Sequence, residues 1–142
     1  MTQKRFFLTA LICLMMSVSS FATDKVITAN QLPEAAQTFV KEMFPNAAII
    51  YVEIDDGKYE VYLNNGTEIK FDLKGNWNKV NCELNAVPAR LVPASIADCV
   101  EGQFPEAVIT KIDKEHYGYD IELSNGFDLK FDRKYMTFGI DN

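Results

Sequence analysis

The chain has 142 residues, with 14 lysines and arginines against 20 aspartates and glutamates and a formal net charge of −6. That balance argues against nucleic acid as a partner, because phosphate recognition needs clustered positive charge. The length suits one domain, and the longest apolar run falls short of the ~20 residues that a membrane-spanning helix needs.

Residues 1–22 read as a secretory signal peptide. Lys4 and Arg5 form the positive end, Phe6 to Val18 the apolar stretch, and Ser20-Phe21-Ala22 a small-x-small cleavage site. Cys13 follows Ile12, where a lipoprotein signal would carry a small residue. Cleavage would remove Lys4 and Arg5 and leave 12 basic against 20 acidic side chains, a net charge of −8. A periplasmic or secreted protein is expected, with no stable membrane insertion once the signal is removed.

The rest of the chain is organised by a repeat. Leu32 to Lys74 aligns without a gap with Val92 to Lys134, with 14 identities over 43 positions. Chains of average composition would match at roughly one position in sixteen, so the segment is duplicated. Each copy opens with a helical stripe: Leu32, Ala35, Ala36, Phe39, Val40, Met43 and Phe44 in the first, and Val92, Ser95, Ile96, Cys99, Val100, Gln103 and Phe104 in the second. Pro33 and Pro93 suit the helix start, and Pro45 and Pro105 force its end.

Four strands should follow each helix. In the first copy they are Ala48 to Ile54, Lys58 to Leu63, Thr67 to Leu73 and Trp77 to Cys82. Turns at Asp55-Asp56-Gly57, Asn64-Asn65-Gly66 and Lys74-Gly75-Asn76 separate them. The second copy repeats the pattern as Ala107 to Asp113, Tyr117 to Leu123, Phe127 to Arg133 and Met136 to Ile140. The expected fold class is α+β, a tandem duplication of an α-β-β-β-β unit with the helices packed on one face of an antiparallel sheet. Residues 23–86 would form the first unit and 87–142 the second, together one compact domain.

Strand alternation sorts side chains into two faces. Val52, Tyr59, Val61, Leu63, Ile69, Phe71 and Val80 should lie under the helices, with Ile112, Tyr119, Ile121, Leu123, Leu129, Phe131 and Ile140 in the second unit. Tyr51, Glu53, Glu60, Tyr62, Glu68, Lys70, Asp72 and Trp77 should share the open face. Tyr51, Tyr62 and Trp77 correspond to Lys111, Glu122 and Thr137, so only one half-face carries aromatics among charges. Two readings stand: aromatics covering neighbouring strands, or anchors of an interface. On the second, Tyr51, Tyr62, Trp77, Glu60, Glu68 and Lys70 would bind a protein or peptide whose identity the residues do not give.

No catalytic motif occurs, and His116 lies in an expected turn. The residues call for no cofactor and no metal, and no enzyme is expected. Cys82 and Cys99 survive signal cleavage; a bridge between them is admissible in an oxidising compartment, and two buried thiols are the alternative.

The leader, the repeated Leu/Val-Pro and Phe-Pro helix ends, the Asn-Gly hairpin, the Lys-Phe-Asp strand and Trp77-x-x-Val80-x-Cys82 together resemble a family. They are similar to the periplasmic PepSY-like proteins of Bacteroides-type bacteria, also described as resembling the β-lactamase-inhibitor protein. The resemblance implies tandem α-β-β-β-β units with a curved sheet. It also implies a secreted binding module, an inhibitor or regulator docking through the concave face. A small-ligand or cell-envelope sensor is the alternative.

Overall fold

The computed structural model describes residues 24–133 and 138–141, so the expected signal peptide, residues 1–22, lies outside the described residues. The described part of the chain forms one antiparallel sheet whose nine strands follow one another in sequence order. These are β1 (Lys25–Ile27), β2 (Ile49–Asp55), β3 (Lys58–Leu63), β4 (Glu68–Phe71), β5 (Trp77–Asn81), β6 (Ile109–Lys114), β7 (Gly118–Leu123), β8 (Asp128–Asp132) and β9 (Phe138–Asp141). Helix α1 (Glu34–Met43) precedes β2, and α2 (Ala94–Gln103) precedes β6. The expected α+β duplication is therefore present, with β1 as a short added strand that alternation does not reveal.

The two units share one sheet because β5 pairs with β6, with Val80 directly opposite Ile112. Directly opposed residues lie on the same face. The register therefore strings Ile27, Val52, Val61, Ile69, Val80, Ile112, Ile121, Leu129 and Ile140 into one row across all nine strands. The seven members from Val52 to Leu129 are buried. Both helices lie over this row and share one core with it, through Leu32, Ala36, Val40 and Phe44 beside α1 and Leu91, Ile96 and Val100 beside α2. A unit of about 60 residues would bury too little to be secure alone; merging the sheets joins the two half-cores. Ile140, expected inside, is 47% exposed. It sits on the last strand, which has a neighbour on one side only.

Local chemistry explains the element ends. Phe44 and Phe104 leave the helix at φ −131° and −133°, the same departure in both copies, each forced by the following proline. The turn after β4 is tied by Asp72, whose Oδ1 accepts hydrogen bonds from the amides of Lys74 and Asn76, both at 2.9 Å. Its glycine cannot be replaced freely. Gly75 has φ +88°, and a Cβ there would stand 3.0 Å from Pro33 Cβ at the start of α1. This turn therefore seats the helix on the sheet.

These hydrogen bonds, above all that of the Asn76 amide, hold the Asp72 carboxyl below the usual carboxylate range. A depressed carboxyl stabilises the fold above its unfolded pKa, and that contribution disappears as pH falls through the folded value. Asp72→Ala is expected to lower the urea midpoint at neutral pH. The gap from wild type should shrink once pH drops below about 4, where the free carboxyl also protonates. A gap of constant size across pH 3 to 7 on this scale would show that the charge is not what holds the turn.

Candidate protein interface on the open sheet face

The face opposite the helices carries its own cross-strand rows. One runs Glu53, Glu60, Lys70, Lys79, Asp113, Asp120 and Lys130 from β2 to β8. The next runs Tyr51, Tyr62, Glu68, Asn81, Lys111, Glu122 and Asp128. No described helix covers these rows.

Five of the six residues expected to form an interface meet here. Tyr51 and Tyr62 are opposed on β2 and β3, with ring centroids 5.7 Å apart. Each phenol is tied to the carboxylate of its own strand: Tyr51 donates to Glu53 at 3.1 Å, and Tyr62 to Glu60 at 3.0 Å. Glu60 also receives Lys70 Nζ at 2.8 Å, and Glu68 lies 3.9 Å from the same ammonium. Tyr51 is 40% exposed, while Glu60 beneath the network is 8% exposed. The result is an aromatic pair held upright on a fixed base of charge.

The electrostatics follow from this geometry. Burial would push Glu60 up, but the hydrogen bonds from Lys70, Glu53 and Tyr62 outweigh it and hold the carboxyl below its ordinary value. Glu53 is raised, first by its hydrogen bond with Glu60, which faces it across the ladder, and then by burial. Lys70 is raised because the Glu60 carboxylate holds its proton. Tyr62 is raised by burial and by its bond to Glu60 and stays a neutral donor.

Trp77, expected on this face, is on the other. A β-bulge between β4 and β5 places Trp77 opposite Phe71, whereas Lys70 still faces Lys79. The extra residue, Asn78, reverses the alternation. The indole instead packs on α1, with its ring 6.1 Å from that of Phe39, and carries the Lys114 ammonium 3.8 Å above it. Lys79 takes the open position and approaches Glu68 at 4.0 Å. Sequence reasoning overlooked Lys79, although strict alternation from the buried Val80 points to it.

The second half-face is acidic. Asp113, Asp120, Glu122 and Asp128 line a shallow depression of about 210 Å³ together with Lys111 and Lys130. No group of three ligating side chains among the described residues is arranged to hold a metal ion. Among the described residues, Cys82 and Cys99 are free thiols and do not bridge. Cys82 is buried at the end of β5, its thiol pushed up by burial while Thr67 hydrogen-bonds to it. Cys99 lies on α2, 3.7 Å from the side-chain amide of Gln103. The two sulfurs thus sit in separate environments.

The chain matches the family model described as "Putative beta-lactamase-inhibitor-like, PepSY-like" over residues 21–72 and again over 57–138. It is similar to a solved "putative calcium-regulated periplasmic protein" from Bacteroides thetaiotaomicron, with 36% identity and a TM-score of 0.80, covering 84% of this chain and 97% of that one. A "putative periplasmic protein" from Bacteroides vulgatus is 39% identical, with a TM-score of 0.79 and the same coverage. Another from that organism, of unknown function, is 26% identical with a TM-score of 0.81, covering 84% of this chain and all of that one. No curated protein matches. No helix among the described residues is long and apolar enough to cross a membrane. The duplicated helix-and-sheet unit, the matched family and the periplasmic neighbours agree: this chain is a periplasmic or secreted member of the PepSY-like family.

Proposed function

We propose that the protein is a non-enzymatic binding module that holds a protein or peptide partner against its open sheet face, as an inhibitor or regulator of a periplasmic or secreted protein. The observation that carries this reading is the Tyr51–Tyr62 pair, fixed by Glu53 and Glu60 on a broad face that no described helix covers. Rigid aromatics with a polar tip bury much area at little entropic cost, which is why they anchor interfaces. The depressions on this face are about 210 and 240 Å³, small beside the roughly 300 Å³ or more of a ligand pocket. The family's likeness to an inhibitor supports the same reading, with the target left open.

A second reading draws on the helix side. A groove of about 490 Å³ runs beside α1, lined by Val40, Phe44, Ala47 and Ile49 among others. It is large enough for a small apolar ligand, as in a sensor domain.

The test is affinity capture from envelope and culture supernatant of the producing cell, with the wild-type protein and a Tyr51→Ala/Tyr62→Ala variant as baits. A partner retained by the wild type and lost by the variant, with the variant's melting temperature little changed, is the expected result. Equal retention by both baits, or no partner at all, would turn attention to the α1 groove.

A further inference from the structure

The duplication sets two grooves at equivalent places, one beside each helix. Val40, Ala47 and Ile49 line the first, and their counterparts Val100, Ala107 and Ile109 line the second. The first holds about 490 Å³ and the second about 260 Å³. The linker between the units reaches into the second: Ala86 and Val87 are part of its wall, and Val87 is buried. The same linker closes the outer edge of β6. The β5 ladder stops at Asn81, opposite Lys111. Beyond it the Cys82 amide donates to the Thr110 carbonyl at 2.9 Å, and the Val87 amide to the Ile109 carbonyl at 2.8 Å. Thr110 is 3% exposed.

The edge of β2 lacks this cover. Ile27 ends β1 opposite Val52, just as Val80 stands opposite Ile112, but the chain then turns at once into the 3-10 turn Ala29–Gln31. The Thr28 amide between them is spent on the side-chain oxygen of Gln31, at 2.9 Å. Among the described residues no loop amide donates to Ile49 or Ile50, the counterparts of Ile109 and Thr110. Ile50 is 66% exposed. A bare strand edge beside an apolar groove is the arrangement that accepts an added strand. Charge also separates the two grooves. Among the described residues Lys41 is the one charged side chain lining the first, where the second has Glu101. Lys41 makes no salt bridge among the described residues.

We infer that the α1 groove and the bare β2 edge beside it receive an extended peptide segment of a partner protein, which completes the first unit as the linker completes the second. An amide of the segment bonds to the carbonyl of Ile49 or Ile50. An apolar side chain enters the groove as Val87 enters its counterpart, and a carboxylate of the segment faces Lys41. The linker is the template for the first two features, and the exchange of Glu101 for Lys41 adds the third. The site goes beyond the open-face reading. It uses neither the tyrosine pair nor its carboxylates, so the two stand or fall separately.

The experiment titrates isotope-labelled protein with the acetylated peptide Glu-Leu-Asn-Ala-Val, the linker sequence from Glu83 to Val87 with a free carboxyl end, following backbone amide shifts. Expected are saturable shifts centred on Ala29, Lys41, Ile49 and Ile50, with none at Ile109 and Thr110, whose edge is already closed. Methylating the valine nitrogen removes a main-chain donor and should weaken binding about three- to tenfold. A neutral peptide, with glutamine for glutamate and an amidated end, should bind about two- to fivefold more weakly to the wild type, and no more weakly than the parent peptide to Lys41→Gln. Ala47→Leu fills the groove and should abolish binding with the melting temperature little changed; the methylated peptide tests the same site on the unaltered protein. No shifts, shifts spread over the surface, or equal binding of the methylated peptide would overturn the inference. So would decanoate binding at Ile49 where the peptide does not, which would make the groove a small-ligand site. A dimer in sedimentation that Ala47→Leu abolishes, without peptide binding, would name a second copy as occupant and overturn it too. Peptide binding should persist in Tyr62→Ala, and its loss there would merge the site with the open face and overturn a separate one.

Discussion

Replacing Gly118 with alanine is expected to lower the unfolding free energy by about 2–4 kcal/mol, near the upper end for single substitutions. The cause is a close approach of backbone to backbone. Gly118 opens β7 at φ +156°, opposite Asp132 of β8. A Cβ at this position would lie 1.9 Å from the carbonyl oxygen of Phe131 and 2.7 Å from the amide nitrogen of Arg133. Neither atom can move alone. Phe131 is a buried core residue, and the Arg133 amide donates to the Tyr117 carbonyl at 2.8 Å. Relief therefore requires β7 and β8 to separate at the end where the His116-Tyr117 turn closes. For a domain of this size the melting temperature should fall by roughly 10 °C. Gly102→Ala is the control: its Cβ meets nothing within 4 Å at an exposed position of α2, and helix propensity should make it neutral or stabilising by up to ~1 kcal/mol. Equal melting temperatures for wild type and Gly118→Ala would mean that the two strands are less tightly joined than the structure shows.

The first copy carries Lys58 at the position of Gly118, and the contrast shows what a repeat can and cannot reveal. The duplication, the helix stripes and the strand alternation rest on short-range pattern, and they led directly to two helices over a sheet. Tyr51, Tyr62, Glu60, Glu68 and Lys70 could be placed together because each strand keeps its alternation where they stand. What failed was parity at irregular points. The bulge at Asn78 adds one residue to β5, and the code for a bulge is the fit of a side chain to a distant partner, here the indole of Trp77 to Phe39. The two copies carry that information in a pair of changes: Phe39 with Trp77 in the first, Cys99 with Thr137 in the second, where Thr137 lies outside the described residues. Joining of the two units through β5 and β6 is a long-range pairing that local pattern does not encode, and β1 is too short to show alternation.

The second large effect concerns the side chain that changed faces. Trp77→Ala is expected to destabilise the fold by about 2–4 kcal/mol, as for other large aromatics truncated against a core, while leaving partner capture through the open face intact. The indole sits between Phe39 of α1 and the Lys114 ammonium, and Phe39 in turn meets Phe71 edge-on with centroids 5.5 Å apart. Truncation opens a gap in this stack and strips a half-buried cation of the ring that faces it. Because Trp77 is the single tryptophan, its fluorescence reports the docking of α1 in the wild type, and the variant must be followed by circular dichroism. The double variant Tyr51→Ala/Tyr62→Ala should show the opposite profile, with a small change in stability and a large loss of capture. The two sets of aromatics thus separate folding from binding. A Trp77→Ala protein of unchanged stability that loses the partner would return the indole to the interface, and would mean that the bulge at Asn78 does not hold in solution.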